Sequence, residues 1–346
     1  MSIKALQEYT RFSKYAKYIQ ELQRRETWHE QVDRVIGMHC IRFAPYLDQL
    51  KNDLDFIQTM LYQKRILGSQ RALQFGGEPV LSKNARMYNC TVSYVDRPRF
   101  FQESMYVLLC GCGAGFSVQR HHINQLPTVA PRDTTKRKKF VIPDNIEGWS
   151  DAIGVLVSSY FTDRQPFPEY ANSIIEFDYS LIRPAGAPIS HGRKAPGPDG
   201  LKSSMEHIVK ILDKATRQGE VQLRPIEAYD IIMHISDSVL SGGIRRSATI
   251  CLFSPDDIEM VTAKTGDWNV NNPQRGRSNN SALLLRSETT REQFAELMKS
   301  VREFGEPGFV WADDLEIMFN PCAEISMYPV LVQGDKKLSG WQMCNL

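Results

Sequence analysis

Apolar side chains recur three and four positions apart along the first 75 or so residues, the spacing of a helical face. "LDQLKNDLDFIQTML" sets Leu47, Leu50, Leu54, Ile57 and Leu61 on one such face. "TWHE" at 27–30 fits a capping box, with Thr27 as N-cap and Glu30 three residues on, leading into Val32, Val35 and Ile36. Residues 1–75 are therefore expected to form a helical N-terminal region, with a second domain over 76–346. Helices are expected at 147–161, over "SMEHIVKILDKATRQG" closed by Gly219, and over "RPIEAYDIIMHISDSVLSGG" with Pro225 in its first turn. "TREQFAELMKSVREFG" carries a second capping box from Thr290 and Gln293. "SIIEFDY", "SATICLF" (247–253), "NSALLL" (280–285), "GFVW" and "CAEISMYPVL" read as strands, with a polar loop between the second and third. Strands alternating with helices predict an α/β domain with many parallel strands.

Composition changes this picture little. The 346 residues are 42% hydrophobic and 24% charged, enough for a sizeable core, and the net charge is +2. That balance gives no argument for a nucleic-acid or membrane partner. The start lacks the apolar run of a signal peptide, and no segment has the length and apolarity to span a bilayer, so a cytoplasmic setting is expected. The seven cysteines (40, 90, 110, 112, 251, 322 and 344) are then expected mostly as thiols, and a disulfide among them would be a working redox pair. The basic run 132–140 has no interleaved aromatics and reads as a solvated loop.

Candidate chemistry concentrates in a few stretches. "FNPCAEI" places Asn320, Cys322 and Glu324 at alternate positions, which on a strand would share one face. Glu324 beside the thiol opposes thiolate formation, so the trio suggests a neutral thiol suited to donating a hydrogen atom. "LLCGCGAGFSV" sets Gly111, Gly113 and Gly115 in a row. Such glycines serve either close approach to a ligand or tight strand–turn packing. Cys110, Cys112, His121 and His122 invite a metal, but CxC chelates zinc poorly and adjacent histidines on a strand point apart; no metal is expected. Two Gly/Arg loops, "RPAGAPISHGRKAPGPDG" (183–200) and "SGGIRRSA" (241–248), are either surface connections or clamps for phosphates and bases.

"YNC" (88–90), "GAGFSV", "PDNIEGW", "GGIRRSA", "SNNSA", "GEPGF", "NPCAEI" and "CNL" (344–346) occur in the order found in ribonucleotide reductase catalytic chains. The chain resembles that family over most of 85–346, and its "NPC" and "RRSA" wording is most similar to the adenosylcobalamin-dependent, class II branch. The resemblance implies the first half of a ten-stranded α/β barrel around a radical site. Cys322 would become a transient thiyl radical, Glu324 the base for the 3′-hydroxyl, and Asn320 a hydrogen-bonding partner of the sugar. Cys90 and Cys344 would supply two electrons and end as a disulfide. Asn89, Gly113, Ala114 and Gly115 would border the ribonucleotide substrate. Arg183, Gly186, Gly243, Arg245 and Arg246 would hold a deoxynucleoside triphosphate or ATP effector. Family chains also imply a thioredoxin- or glutaredoxin-type reductant and a homodimer.

Such chains continue past "CNL" for roughly as long again. The expectation is therefore a split reductase, inactive alone and completed by a second chain carrying the C-terminal half, or by splicing. Two other readings are a large subunit served by a separate radical-generating subunit, and a non-catalytic deoxynucleotide-binding remnant.

Overall fold

The computed structural model describes residues 2–189, 193–241 and 248–345. It divides into two compact units, Met1–Asn89 with Cys344–Leu346, and Cys90–Met343.

The first unit contains α1 (Trp28–Arg42) and α2 (Leu47–Tyr62). The capping box forms as expected: Glu30 N donates to Thr27 Oγ1 at 3.3 Å, and Thr27 N donates back to Glu30 Oε2 at 2.7 Å. Val32 and Ile36 pack with Leu61, and Trp28, Cys40 and Tyr62 lean on that cluster. The stripe expected along α2 is only half covered, with Leu61 buried and Ile57 38% exposed. A polar knot holds the unit together. The Arg34 guanidinium grips the buried Glu26 carboxylate through Nε (2.6 Å) and Nη2 (2.9 Å), and also donates to the Gly76 and Leu73 carbonyls. Burial and the adjacent Arg34 push the Lys17 ammonium down to about 8.

The second unit is built on a sheet. Its elements, in chain order, are β1 (Cys90–Tyr94), α3 (Arg99–Leu109), β2 (Gly113–Ser117), α4 (Arg120–Ile123), β3 (Asp133–Val141), α5 (Ile146–Ser158) and β4 (Ser173–Asp178). There follow α6 (Asp199–Ala215), α7 (Pro225–Ser241), β5 (Thr249–Phe253), β6 (Ser278–Leu285), α8 (Arg291–Phe304) and β7 (Gly308–Ala312). Last come β8 (Met318–Phe319), β9 (Ser326–Met327), β10 (Val330–Gln333), β11 (Lys336–Ser339) and β12 (Gln342–Cys344). The sheet order is β7-β6-β5-β2-β1-β12, and the neighbours from β7 to β1 are all parallel. A parallel sheet covered on both faces needs near-continuous apolar strands, and every residue of β1 and β5 is buried. Phe116 on β2 meets Phe100 of α3 and Tyr229 of α7 at 6.4 Å between ring centroids.

The expected α/β alternation is present as a mixed fold with a parallel sheet, and α8 starts at the Thr290–Gln293 capping box. Two expectations fail. The basic run is a strand rather than a loop: β3 pairs in parallel with β4, because its polar side chains face solvent while its backbone finds a partner. Lys139 meets Asp178 across that pair at 2.7 Å. The supposed polar loop between β5 and β6 holds two short helices, Ile258–Val261, which is capped by Asp257, and Trp268–Asn271. Among the described residues no helix is long and apolar enough to cross a membrane.

Helices α6 and α7 flank a cleft of about 380 Å³, lined by Ser203, His207, His234, Asp237, Asn272 and Gln274. His207 and His234 stack there at 4.7 Å. Burial, then His207, pushes His234 down from 6.5 to about 4.

Arg34→Met leaves Glu26 buried without its cation, and chemical denaturation should show a loss of about 3–5 kcal/mol. For His234, the unfolded chain binds the proton first, so its contribution to stability is complete above pH ~6.5 and is lost as pH falls toward about 4. His234→Gln should flatten that part of the stability–pH curve, and an unchanged slope would refute the assignment.

Candidate active site

The single strand expected over "CAEISMYPVL" is broken: only Ser326–Met327 and the start of β10 at Val330 are strand, and the shared face of Asn320, Cys322 and Glu324 is lost. Instead β8 pairs antiparallel with β9, Met318 opposite Met327 and Phe319 opposite Ser326, and residues 320–325 reverse the chain. Asparagine often closes turns by binding its own neighbouring backbone, and Asn320 does so here. Its carbonyl accepts from Ala323 N at 2.7 Å, its own N–H donates to Ile325 O at 3.3 Å, and its Oδ1 accepts from Ile325 N at 3.0 Å. Ala323 takes the left-handed conformation, φ +59°, that the reversal needs. Asn320 is thereby fully buried, while Cys322 and Glu324 are exposed at the tip. Asn320 Nδ2 is buried with no hydrogen-bond partner among the described residues.

The glycine row explains where this hairpin sits. A Cβ on Gly115 would lie 2.3 Å from Phe319 O and 3.0 Å from a Val92 methyl. One on Gly113 would lie 3.0 Å from Pro321 Cγ. Of the two readings of these glycines, strand–turn packing is the one realised: β2 lacks side chains where the hairpin lies against it. Ala114, between them, is buried. Cys90 is the buried first residue of β1 and stands in register with Gly113.

In the first unit, Asn89 donates its N–H to Cys344 O at 3.0 Å, and its Oδ1 accepts from Arg71 Nε at 2.6 Å. Cys344 is also buried. Arg183 is half exposed and paired with Asp144. Gly186 has φ +87° and donates to Ala195 O, and Pro188–Ile189 pairs with Arg193–Lys194, so part of the first Gly/Arg loop is a hairpin. Gly243, Arg245 and Arg246 lie outside the described residues.

A second cluster lies close to the hairpin in sequence. His121 and His122 do not sit on a strand and do not point apart. They belong to the helical turn α4, and both reach Glu316, two residues before β8. His122 Nε2 is 3.0 Å from Glu316 Oε2, and its Nδ1 is 2.8 Å from Ser117 Oγ. Tyr94 stacks on its ring at 4.0 Å. Burial holds the His122 imidazole below its usual range, although Glu316 opposes this. The two imidazoles, His121 first, hold the Glu316 carboxyl well below the usual carboxylate range. No local signal could have found this trio, because Glu316 comes 194 residues after His122.

No family model matches the chain. It is 27% identical to an adenosylcobalamin-dependent ribonucleoside-triphosphate reductase of Euglena gracilis, over 84% of this chain and 40% of that protein. It is 25% identical to the enzyme of the same description from Lactobacillus leichmannii, over 96% of this chain and 52% of that one. A crystal structure of a B12-dependent, class II ribonucleotide reductase superposes with a TM-score of 0.76 at 24% identity, over 93% of this chain and 53% of that one. The chain spans about half the length of the curated relatives it matches. The resemblance read from the motifs, to ribonucleotide reductase catalytic chains of the cobalamin-dependent branch, thus extends over most of the chain and to its fold.

Gly115→Ala should cost about 1–3 kcal/mol in urea unfolding, because backbone rather than a flexible side chain blocks the new methyl. Gly340→Ala, where a Cβ meets nothing within 4 Å, should stay within about 0.5 kcal/mol.

Proposed function

We propose that this chain carries the radical site of a ribonucleotide reductase, converting ribonucleotides to 2′-deoxyribonucleotides. The observation that carries the reading is the Asn320-closed turn. It buries one unpaired amide donor and presents a thiol and a carboxylate on a loop held against the central strand. The substrate class named by the relatives is a ribonucleoside triphosphate.

In this proposal the Cys322 thiyl takes the 3′ hydrogen of the ribose and becomes a thiol. Glu324 accepts the 3′-hydroxyl proton. Asn320 Nδ2, left over after Oδ1 is committed to Ile325, donates to a sugar hydroxyl, which would relieve an unpaired buried donor costing about 1–3 kcal/mol. The 2′-hydroxyl leaves as water, and the two electrons come from the Cys90 and Cys344 thiols, which join as a disulfide. Cys322 then returns the hydrogen to C3′ and is again the thiyl.

Adenosylcobalamin, the group in the relatives' names, supplies one-electron oxidation of a thiol when bound. Cys322 fits that role and is the residue that would face it. Its thiol is exposed, and the hydrogen bonds closing the turn run through Asn320, Ala323 and Ile325 instead. We further infer that the five parallel strands form half of a ten-stranded α/β barrel. The antiparallel β8–β9 hairpin against β2 supports this, as it brings a loop to the sheet's central region. Arg183 and Gly186, with Gly243, Arg245 and Arg246, would serve a deoxynucleoside triphosphate effector.

The test is to recover the chain from its native source with all that copurifies, and to assay deoxynucleotide formation with and without adenosylcobalamin. Cys322→Ser should lower turnover by on the order of 10³-fold or more while effector binding is unchanged. Turnover that survives this substitution would end the radical assignment.

A further inference from the structure

His121, His122 and Glu316 each offer one ligand atom, and all three atoms lie within 4.8 Å of one another. We propose that they form a binding site for a divalent transition-metal ion of the zinc type, clipping α4 to the approach of the β8–β9 hairpin.

The spacing suits such an ion. Zinc bonds of about 2.0–2.1 Å in tetrahedral geometry put neighbouring donor atoms roughly 3.3 Å apart. The carboxylate oxygens of Glu316 lie 3.0 Å from His122 Nε2 and 3.2 Å from His121 Nε2. Direct hydrogen bonding accounts for only one of these contacts. His122 Nε2 is aligned on Oε2, whereas His121 Nε2 is buried yet has no partner in hydrogen-bond geometry, despite its closeness to Oε1. A shared cation would satisfy both nitrogens and the carboxylate together. The donor set, two imidazoles and one carboxylate, favours zinc and its transition-metal neighbours over magnesium or calcium.

The supporting groups are also in place. Metal-binding imidazoles are commonly oriented through their second nitrogen, and His122 Nδ1 faces Ser117 Oγ at 2.8 Å. Ser117 is itself held by Gln119, whose N and Nε2 lie 3.2 and 3.1 Å from its hydroxyl. The Tyr94 ring fixes the plane of His122, and the Tyr94 hydroxyl donates to the Glu316 carbonyl. His122 is 1% exposed, whereas the side chains of His121 and Glu316 are 34% and 28% exposed. The cluster therefore reaches the surface along the His121 and Glu316 side chains, and a water would complete the fourth position of a tetrahedral ion. Because Glu316 lies two residues before Met318, the ion would fasten the stem from which the Cys322 turn projects.

The experiment uses the full chain, stripped with a chelator and titrated with Zn²⁺ by calorimetry. One ion per chain is expected, with a rise in melting temperature on the order of 5 °C at a hundredfold excess over Kd. His121→Ala and Glu316→Gln should each weaken binding by at least about tenfold. His207→Ala, outside the cluster, should leave it unchanged. Cobalt substitution separates this site from the cysteines, since nitrogen and oxygen ligands give no thiolate charge-transfer band. Sub-stoichiometric binding, a thiolate band, or full affinity in both cluster variants would overturn the proposal. The wild-type titration and cobalt spectrum decide it even if a variant folds poorly.

Discussion

The missing side chain at Gly115 is the constraint on which the hairpin depends. The Phe319 carbonyl occupies the space that a Cβ would need, so the β8–β9 stem can lie on β2 only because β2 presents bare backbone there. Gly113 does the same beneath Pro321. Glycine weakens a strand, since it packs nothing and loses more freedom on folding. The β2 strand tolerates this because it is central, bonded to β1 on one side and β5 on the other, with Phe116 packed among the helices. Its two neighbours hold the strand in place while its glycines let the turn approach.

On that support, one asparagine does most of the work of shaping the turn. Its main-chain groups and Oδ1 make three hydrogen bonds that define the reversal, Pro321 has no N–H to satisfy within it, and Cys322 and Glu324 are left exposed at its tip. A buried amide nitrogen without a partner is unfavourable in isolation. Its position beside an exposed thiol and carboxylate is the kind of local cost expected where a chain is arranged for a ligand. The same stem is tied at its start by Glu316, whose carboxylate the two histidines of α4 face and whose carbonyl accepts from the Tyr94 hydroxyl. Backing and fastening therefore come from different elements, and both act on a short segment.

Much of the framework was legible from local pattern. Both capping boxes and strands β5, β6 and β7 follow from spacing and end signals, because caps and periodicity are settled within a few residues; α6 ends earlier than its sequence suggests, at Ala215, and Gly219 closes only the 3-10 turn that follows. Elsewhere the local pattern fits more than one element. Alternating polar residues at 320–324 satisfy the strand rule as well as they satisfy a turn, and only the backing by β2 decides between them. The basic run looked like a loop because charge masked a backbone that found β4 as its partner. The histidine pair sits on a helical turn and not on a strand, and its meeting with Glu316 has no local signature.

By itself, the sequence determined an α/β chain with its helix ends in place, a set of motifs resembling ribonucleotide reductases, and Asn320, Cys322 and Glu324 as groups to watch. Tertiary structure alone decided that Asn320 is buried while the other two are exposed, that the glycines receive a hairpin, and that His121, His122 and Glu316 meet. The physical reason is range: capping and periodicity act between neighbours, whereas burial, backing and convergence depend on groups that only the folded sheet brings together.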